Sequence, residues 1–225
     1  EYDYAVVIEK VVYQYRPGTD DYAVVALDEN NGNMADGKKV KVRSEILGKP
    51  VTEITIHGEF DPPQGRVNLI LPESIRKIQM DECTFKSIRF PSSFTKKNSE
   101  SSVYECTIGK IYLAGKSVYT GNIYQISGLK TMTLPSKLKY IRAGFLNGST
   151  SLEKINIPKQ VTTIGKGAFA GCKNLKIYVP ATVKKIGKNA FGKGSGRVKK
   201  IYCVKDSAAY KYAKKNNIPY KVVAK

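Results

Sequence analysis

The chain has 225 residues with 41% hydrophobic side chains, enough for one sizeable domain or two small ones, and carries 38 Lys+Arg against 19 Asp+Glu, a formal net charge of +19. No apolar run approaches the roughly 20 residues of a membrane-spanning helix, and no signal peptide is visible at Glu1, which says nothing of a mature or trimmed chain. The four cysteines, Cys83, Cys106, Cys172 and Cys203, lack CxxC spacing and paired histidines, so metal-site and thioredoxin readings fail on residue types. They read as mostly buried small hydrophobes, their disulfide status open. The charge is uneven: residues 151–225 hold 18 Lys+Arg and only Glu153 and Asp206, a net of +16, against +3 for the first 150. Such a half attracts anionic polymers or forms a well-solvated surface.

In chain order, "DYAVV" occurs twice, at Asp3–Val7 and Asp21–Val25, with "RPGTDD" between, which predicts a hairpin. The acidic stretch Asp28–Gly37 fails as a calcium loop, because Gly32 stands one place too early and position twelve is Lys39 where a bidentate Glu belongs. It reads as a polar hairpin turn. Next comes "VKVR" (Val40–Arg43) or "ITIH" (Ile54–His57) as a first, degenerate rung of a repeat, with nothing in the sequence to choose between them.

The repeat itself is an apolar-x-apolar-Pro phrase. Its copies end at positions 72, 91, 114, 135, 158, 180 and 204, spaced 19, 23, 21, 23, 22 and 24 residues apart, with Ala114 and Val204 in the Pro slot. Each unit is too short to bury its own apolar face, so neighbours must cover it. The strand period of two sends Ile155 and Ile157 inward and Asn156 outward, and the proline ends each strand at the same place. After the corner, Val161, Ile164, Val183 and Ile186 point inward, and Gly165 and Gly187 permit a tight turn. Phe145, Phe169 and Phe191 are core plugs. Phe85, Tyr104 and Tyr124 are expected in the equivalent slot of other coils. The polar stretch Ser93–Ser102 is expected to be an exposed loop. At the C-terminus, Asp206 or Ser207 caps a short helix that Asn216 and Asn217 end, and "YKVV" returns as a final strand.

"INIPKQVTTIGKGAFAGCKNL" (Ile155–Leu175) resembles, almost position by position, the BspA-like class of leucine-rich repeats. "GKPVTEI" (Gly48–Ile54) resembles the usual lead into a first repeat, and "SAAYKYAKKNNIPYKV" the usual ending. The resemblance spans roughly residues 22–225, strongest in the last three coils and weakest from 54 to 125. The asparagine ladder of ordinary leucine-rich repeats is missing, so their strongly curved horseshoe is not expected. The expected fold is a right-handed, β-rich leucine-rich-repeat solenoid, with a parallel sheet on one face and short strands and turns on the other. A β-hairpin cap over 1–47 precedes repeats over 48–205, and a short helix-strand cap covers 206–225. The resemblance implies a bacterial secreted or cell-surface location and a role in adhesion or display, without naming a ligand.

An enzyme finds little to stand on. His57 is the single histidine, so any Ser-His or Cys-His pair must use it, and it reads as a surface residue. Asp81-Glu82 and Glu59/Asp61 are carboxylate pairs of the sort any surface carries. "NGS" at Asn147–Ser149 fits a glycosylation sequon but is read as a loop. One constellation stands out: Lys-x-Tyr recurs at one register as Lys110/Tyr112, Lys176/Tyr178 and Lys200/Tyr202, with Arg89, Thr133 and Asn156 on intervening strands. Tyrosine offers a flat apolar face with a hydroxyl and lysine a mobile cation, which suits sugars and acidic polymers. A ligand is not required for such a column, since two lysines at ~5 Å repel by only about 0.8 kcal/mol in water. The expectation is therefore a non-enzymatic adhesive module for a surface protein or an anionic glycan or polymer. It uses no metal or cofactor, binds no nucleic acid, does not insert in a membrane, and is a monomer. A passive spacer, and more distantly a carbohydrate-active enzyme, are the alternatives.

Overall fold

A computed structural model describes residues 5–9, 11–27, 38–57, 67–97 and 99–224. The turn at 28–37 and the Glu59/Asp61 pair lie outside them. The chain winds into a β-solenoid of about 7 turns, as its repeat requires, with one short helix near the C-terminus.

The face carrying the repeated phrase is built from two parallel panels. Lys39–Lys41, Asn68–Ile70, Thr84–Arg89 and Thr107–Tyr112 form the first; Thr131–Thr133, Lys154–Asn156, Lys176–Val179, Lys200–Cys203 and Tyr220–Val222 form the second. Apolar positions align from strand to strand, as in Met132–Ile155–Ile177–Ile201. No ladder joins Thr107–Tyr112 to Thr131–Thr133 among the described residues. Both candidate first rungs are rungs, on different walls. Lys39–Lys41 pairs with Asn68–Ile70 on this face, whereas the strand holding Ile54–Ile56 pairs with Lys77–Asp81 on another.

That other wall is an eight-stranded sheet running from Ala5–Ile8 through Val11–Arg16, Asp21–Leu27, Lys49–Ile56, Lys77–Asp81 and Ser102–Tyr104 to Asn122–Tyr124, with Glu45–Ile46 alongside. Its first three strands pair antiparallel, as does Glu45–Ile46 with Lys49–Ile56, and the remaining pairs are parallel. The two "DYAVV" segments are not hairpin partners, because Val11–Arg16 lies between them and pairs with both. Arg16 clamps this corner, with hydrogen bonds to Asp21 (2.9 and 2.8 Å) and contacts to Glu53 and Thr52. Tyr140–Ile141, Thr163–Ile164 and Lys185–Ile186 form a short third sheet in the downstream coils.

The core runs the length of the coil stack. Phe145, Phe169 and Phe191 are fully buried and stack on one another at 6.1 and 5.9 Å, and Tyr212 of the helix closes the column at 5.6 Å from Phe191. Tyr104 and Tyr124 do not fill that slot. In their coils the inward residues are Val103 and Ile123, paired with each other and with Met80, while the two tyrosines point out and pack together at 4.9 Å. The physical reason is the corner that follows: Glu82, Glu105 and Gln125 adopt left-handed φ of 56°, 51° and 53°, which resets the alternation before the next inward residue. Phe85 is buried, but in the strand opposite Ile108, not in the turn that holds the other phenylalanines.

Gly165 and Gly187 do not serve a left-handed turn. A Cβ on either would stand 2.3 Å from the Ala143 nitrogen or 2.4 Å from the Lys166 nitrogen, so each is glycine because the preceding coil's backbone presses against it. The stretch Ser93–Ser102 is exposed only in part, at Lys96, Lys97 and Glu100 among the described residues. Ser93, Phe94, Thr95 and Ser101 are buried, Phe94 stacks on Phe90 at 4.3 Å, and the Ser101 hydroxyl accepts from the Ile78 N–H. The C-terminal helix runs Ala208–Lys215; the Ser207 hydroxyl caps it by accepting from the Tyr210 N–H at 3.2 Å, and Asn216 ends it.

Candidate functional site

The strand period puts every second side chain of the repeat face in solvent, and parallel pairing without offset turns that alternation into columns. Lys154, Lys176 and Lys200 stand opposite one another on three adjacent strands. Two residues on, Asn156, Tyr178 and Tyr202 form the next column, and Lys221 extends it beside Tyr202. Adjacent strands are about 4.8 Å apart, so this is a short cationic row beside an aromatic one. Tyr178 is 36% exposed, which leaves its ring available on the surface. Lys154, Asn156, Lys176, Tyr178 and Tyr202 from these columns, together with Glu153, Asn174 and Lys199, line a groove of about 640 Å³, and Lys200 stands in the cationic row at its edge.

Four of the seven residues predicted for the site, Lys176, Tyr178, Lys200 and Tyr202, are therefore contiguous. The other three belong to the first panel. Tyr112 lies opposite Arg89, whose guanidinium sits over the ring at 4.9 Å, and Lys110 lies opposite Ser87. The strand carrying Thr131 and Thr133 lies between them and the groove, whose own first strand is the one carrying Lys154 and Asn156. Lys154 and Lys199 escaped the sequence reading. Lys154 was legible, because Lys-Ile-Asn occupies the same register as Lys-Ile-Tyr; Lys199 precedes its strand and carries no periodic signal.

Charge sharpens the picture. All six ion pairs among the described residues involve positions between Glu9 and Asp81. None involves Lys154, Lys176, Lys199 or Lys200, so among the described residues these cations are in no ion pair, and Glu153 is the one acidic side chain in the groove lining. His57 pairs with Asp81 through Nδ1 on an exposed surface, and no hydrogen bond joins it to a Ser, Thr or Cys side chain among the described residues. The four cysteines are buried and free. The Cys83 thiol donates to backbone oxygens of Asp81 and Ile56; its Cys106 neighbour and burial push its pKa up, the same contact lowers that of Cys106, and both thiols are fully buried, without the solvent access of a reactive cysteine.

Residues 66–176 and 122–212 match the family model described as a BspA type leucine rich repeat region, in 6 copies. No curated protein matches the chain. Solved structures that it resembles include a leucine rich cell surface protein from Faecalibacterium prausnitzii A2-165, at 16% identity over 92% of this chain and 56% of that one, TM-score 0.46. The pneumococcal vaccine antigen PcpA is 18% identical over 89% of this chain and 50% of its own, TM-score 0.47. The leucine rich repeat protein of T. pallidum is 17% identical over 97% of both chains, TM-score 0.39. The chain spans about half the length of the first two.

Proposed function

Because the chain belongs to the BspA-type leucine-rich repeat family, we propose that it is a non-catalytic repeat module of a bacterial surface or secreted protein and that its lysine–tyrosine groove is an adhesive site for an anionic polymer. A surface location is the one expected for repeats of this type. The observation that carries the binding reading is the in-register set Lys154, Lys176 and Lys200, without ion pairs, beside Tyr178 and Tyr202. Strand pairing sets the cations at a regular interval of about 4.8 Å along which successive charges of a chain can lie, and the tyrosines supply apolar contact and hydroxyls. Salt weakens contacts of this kind strongly, since the screening length shortens from about 10 Å at 0.1 M to about 3 Å at 1 M.

The test is an array of anionic glycans, cell-wall polymers and matrix proteins, probed with the chain and with a folded Lys176→Ser/Lys200→Ser/Tyr178→Ser/Tyr202→Ser variant. Binding that falls with added salt and disappears in the variant supports the groove. Binding kept by both moves the site elsewhere, and silence from both leaves a spacer that displays its neighbours. A Lys110→Ser/Tyr112→Ser variant asks separately whether the first panel contributes.

A further inference from the structure

A second groove lies on another wall, where the eight-stranded sheet stops. Its last strand is Asn122–Tyr124; in the next coil the chain makes a turn over residues 143–148 in place of a strand. The backbones stay joined, the Leu146 N–H donating to Ile123 O at 2.5 Å and the Gln125 N–H to Asn147 O at 2.6 Å. The side chains do not continue. Beside Asn122 and Tyr124 the next coil offers Ala143, Gly144 and Asn147, and a cavity of about 400 Å³ opens there. It adjoins one of about 480 Å³ that shares Gln125 and Asn147. Both volumes are typical of small-ligand sites, roughly 300–1,000 Å³.

The chemistry of the lining is specific. The Tyr124 ring packs on Tyr104 on one side, while Tyr104 takes no part in the cavity, so Tyr124 ends an aromatic stack with one flank on the groove. Asn122 spends both amide hydrogens on the carbonyls of Ser99 and Ser101, which leaves its oxygen to accept. Gln125 donates to Glu105 at 3.0 Å and also meets the Tyr104 hydroxyl, which leaves its oxygen to accept. Asn147 is exposed, and its side-chain amide makes no hydrogen bond among the described residues. Gly148 makes room for Gln125, since a Cβ there would stand 2.8 Å from Gln125 Cγ. In a chain of net charge +19, the first cavity is lined by no cation, and the second holds the Glu105 carboxylate. An anion gains nothing there and meets a like charge.

We propose that this groove binds an uncharged oligosaccharide, with a sugar ring laid on Tyr124 and its hydroxyls shared among Asn122, Gln125 and Asn147. A sugar ring brings apolar C–H faces and neighbouring donors and acceptors, which is what one aromatic flank and partly unspent amides complement. The site does not depend on the lysine groove and has opposite salt behaviour.

The experiment is titration of the chain with neutral hexasaccharides of glucose, mannose and galactose, each at up to millimolar concentration, with a sulfated oligosaccharide as the anionic arm. The expected result is binding of a neutral probe that added salt leaves unchanged. Asn147→Ala and Tyr124→Ser each weaken it by about tenfold or more, a loss of about 1.4 kcal/mol, whereas Lys176→Ser/Lys200→Ser does not. Tyr124→Phe keeps the packing on Tyr104 and retains most of the affinity, separating loss of the platform from loss of fold. Failure of every neutral probe to bind, binding confined to the sulfated arm, or neutral binding untouched by both Asn147→Ala and Tyr124→Ser overturns the proposal.

Discussion

Replacing Phe169 with alanine tests the core directly. The ring is fully buried and stands in the middle of its column, 6.1 Å from Phe145 with planes at 78° and 5.9 Å from Phe191 with planes at 8°. Burial of the ring and the cavity left behind set the cost of Phe→Ala at about 3–5 kcal/mol. Two aromatic contacts, worth about 0.5–1.5 kcal/mol each, vanish as well. Neither neighbour can move in to fill the gap, because each is fixed in its own coil, so the upper half of that range applies. Tyr104 provides the contrast: it is half-buried and packs mainly on Tyr124, and Tyr104→Ala should cost no more than about 1.5 kcal/mol. Urea unfolding followed by far-ultraviolet circular dichroism measures both, since the chain contains no tryptophan to report by fluorescence. Amide exchange locates the damage, which should spread to the coils on either side. A loss below about 1 kcal/mol for Phe169→Ala, or an equal loss for Tyr104→Ala, would show that the core column is misplaced.

Gly187→Ala should cost about 1–3 kcal/mol, because its methyl meets the backbone of residues 165 and 166. Gly115→Ala has open space and should stay within about 0.5 kcal/mol; equal thermal shifts for the two would refute the close-approach account. At low pH the Arg16 corner should weaken. Burial works to raise the pKa values of Asp21 and Glu53, but hydrogen bonds from Arg16 and nearby threonines outweigh it and hold both below the usual range. Their stabilisation is therefore present above the unfolded carboxyl values of about 4 and lost as pH falls through the lower folded values. Arg16→Met should flatten that acid limb and cost about 2 kcal/mol at neutral pH, whereas an unchanged pH profile of unfolding midpoints would exclude the corner as its source. Burial pushes the Cys172 thiol up to about 12. It should resist iodoacetamide in the native chain at about pH 8 and react once unfolded, as mass spectrometry can read; rapid native labelling would contradict its burial.

The downstream coils were legible because every local signal agreed there. Proline closes each strand, Val and Ile follow at fixed offsets, and Phe169 and Phe191 fall in one slot. Upstream, size misled: Tyr104 and Tyr124 are the large residues near the plug position, yet Val103 and Ile123 take it. A left-handed Glu105 or Gln125 leaves no compositional trace, since glycine is the usual marker of such a corner. Ser93–Ser102 is polar in composition, but Phe94 and Ser101 turn inward to partners 18 or more residues away in other coils. At the candidate site, Lys176, Tyr178, Lys200 and Tyr202 could be read together because equal spacing implies adjacent strands. Separation of Lys110, Tyr112 and Arg89 depends on which strands pair, a long-range property that spacing alone does not carry. The uncharged groove arises from a change of wall between two coils, so no single segment signals it.

The gap in the ladder between Tyr112 and Thr131 also has a mechanical meaning. On the other walls the same two coils remain stitched, the Lys139 and Tyr140 N–H groups reaching Val118 O, the Thr120 N–H reaching Tyr140 O, and the Leu146 N–H reaching Ile123 O. On the repeat face the joint is thinner: among the described residues no ladder links Tyr112 to Thr131–Thr133, and a single parallel bridge, with the Ile108 N–H reaching Ser127 O and the Ser127 N–H reaching Cys106 O, ties the strand Thr107–Tyr112 to the chain that follows. The molecule is thus creased like the spine of a book, stiff within each panel and compliant across one fold line. Opening the repeat face along this line breaks one bridge, whereas opening it within a panel breaks a ladder of three or more paired residues.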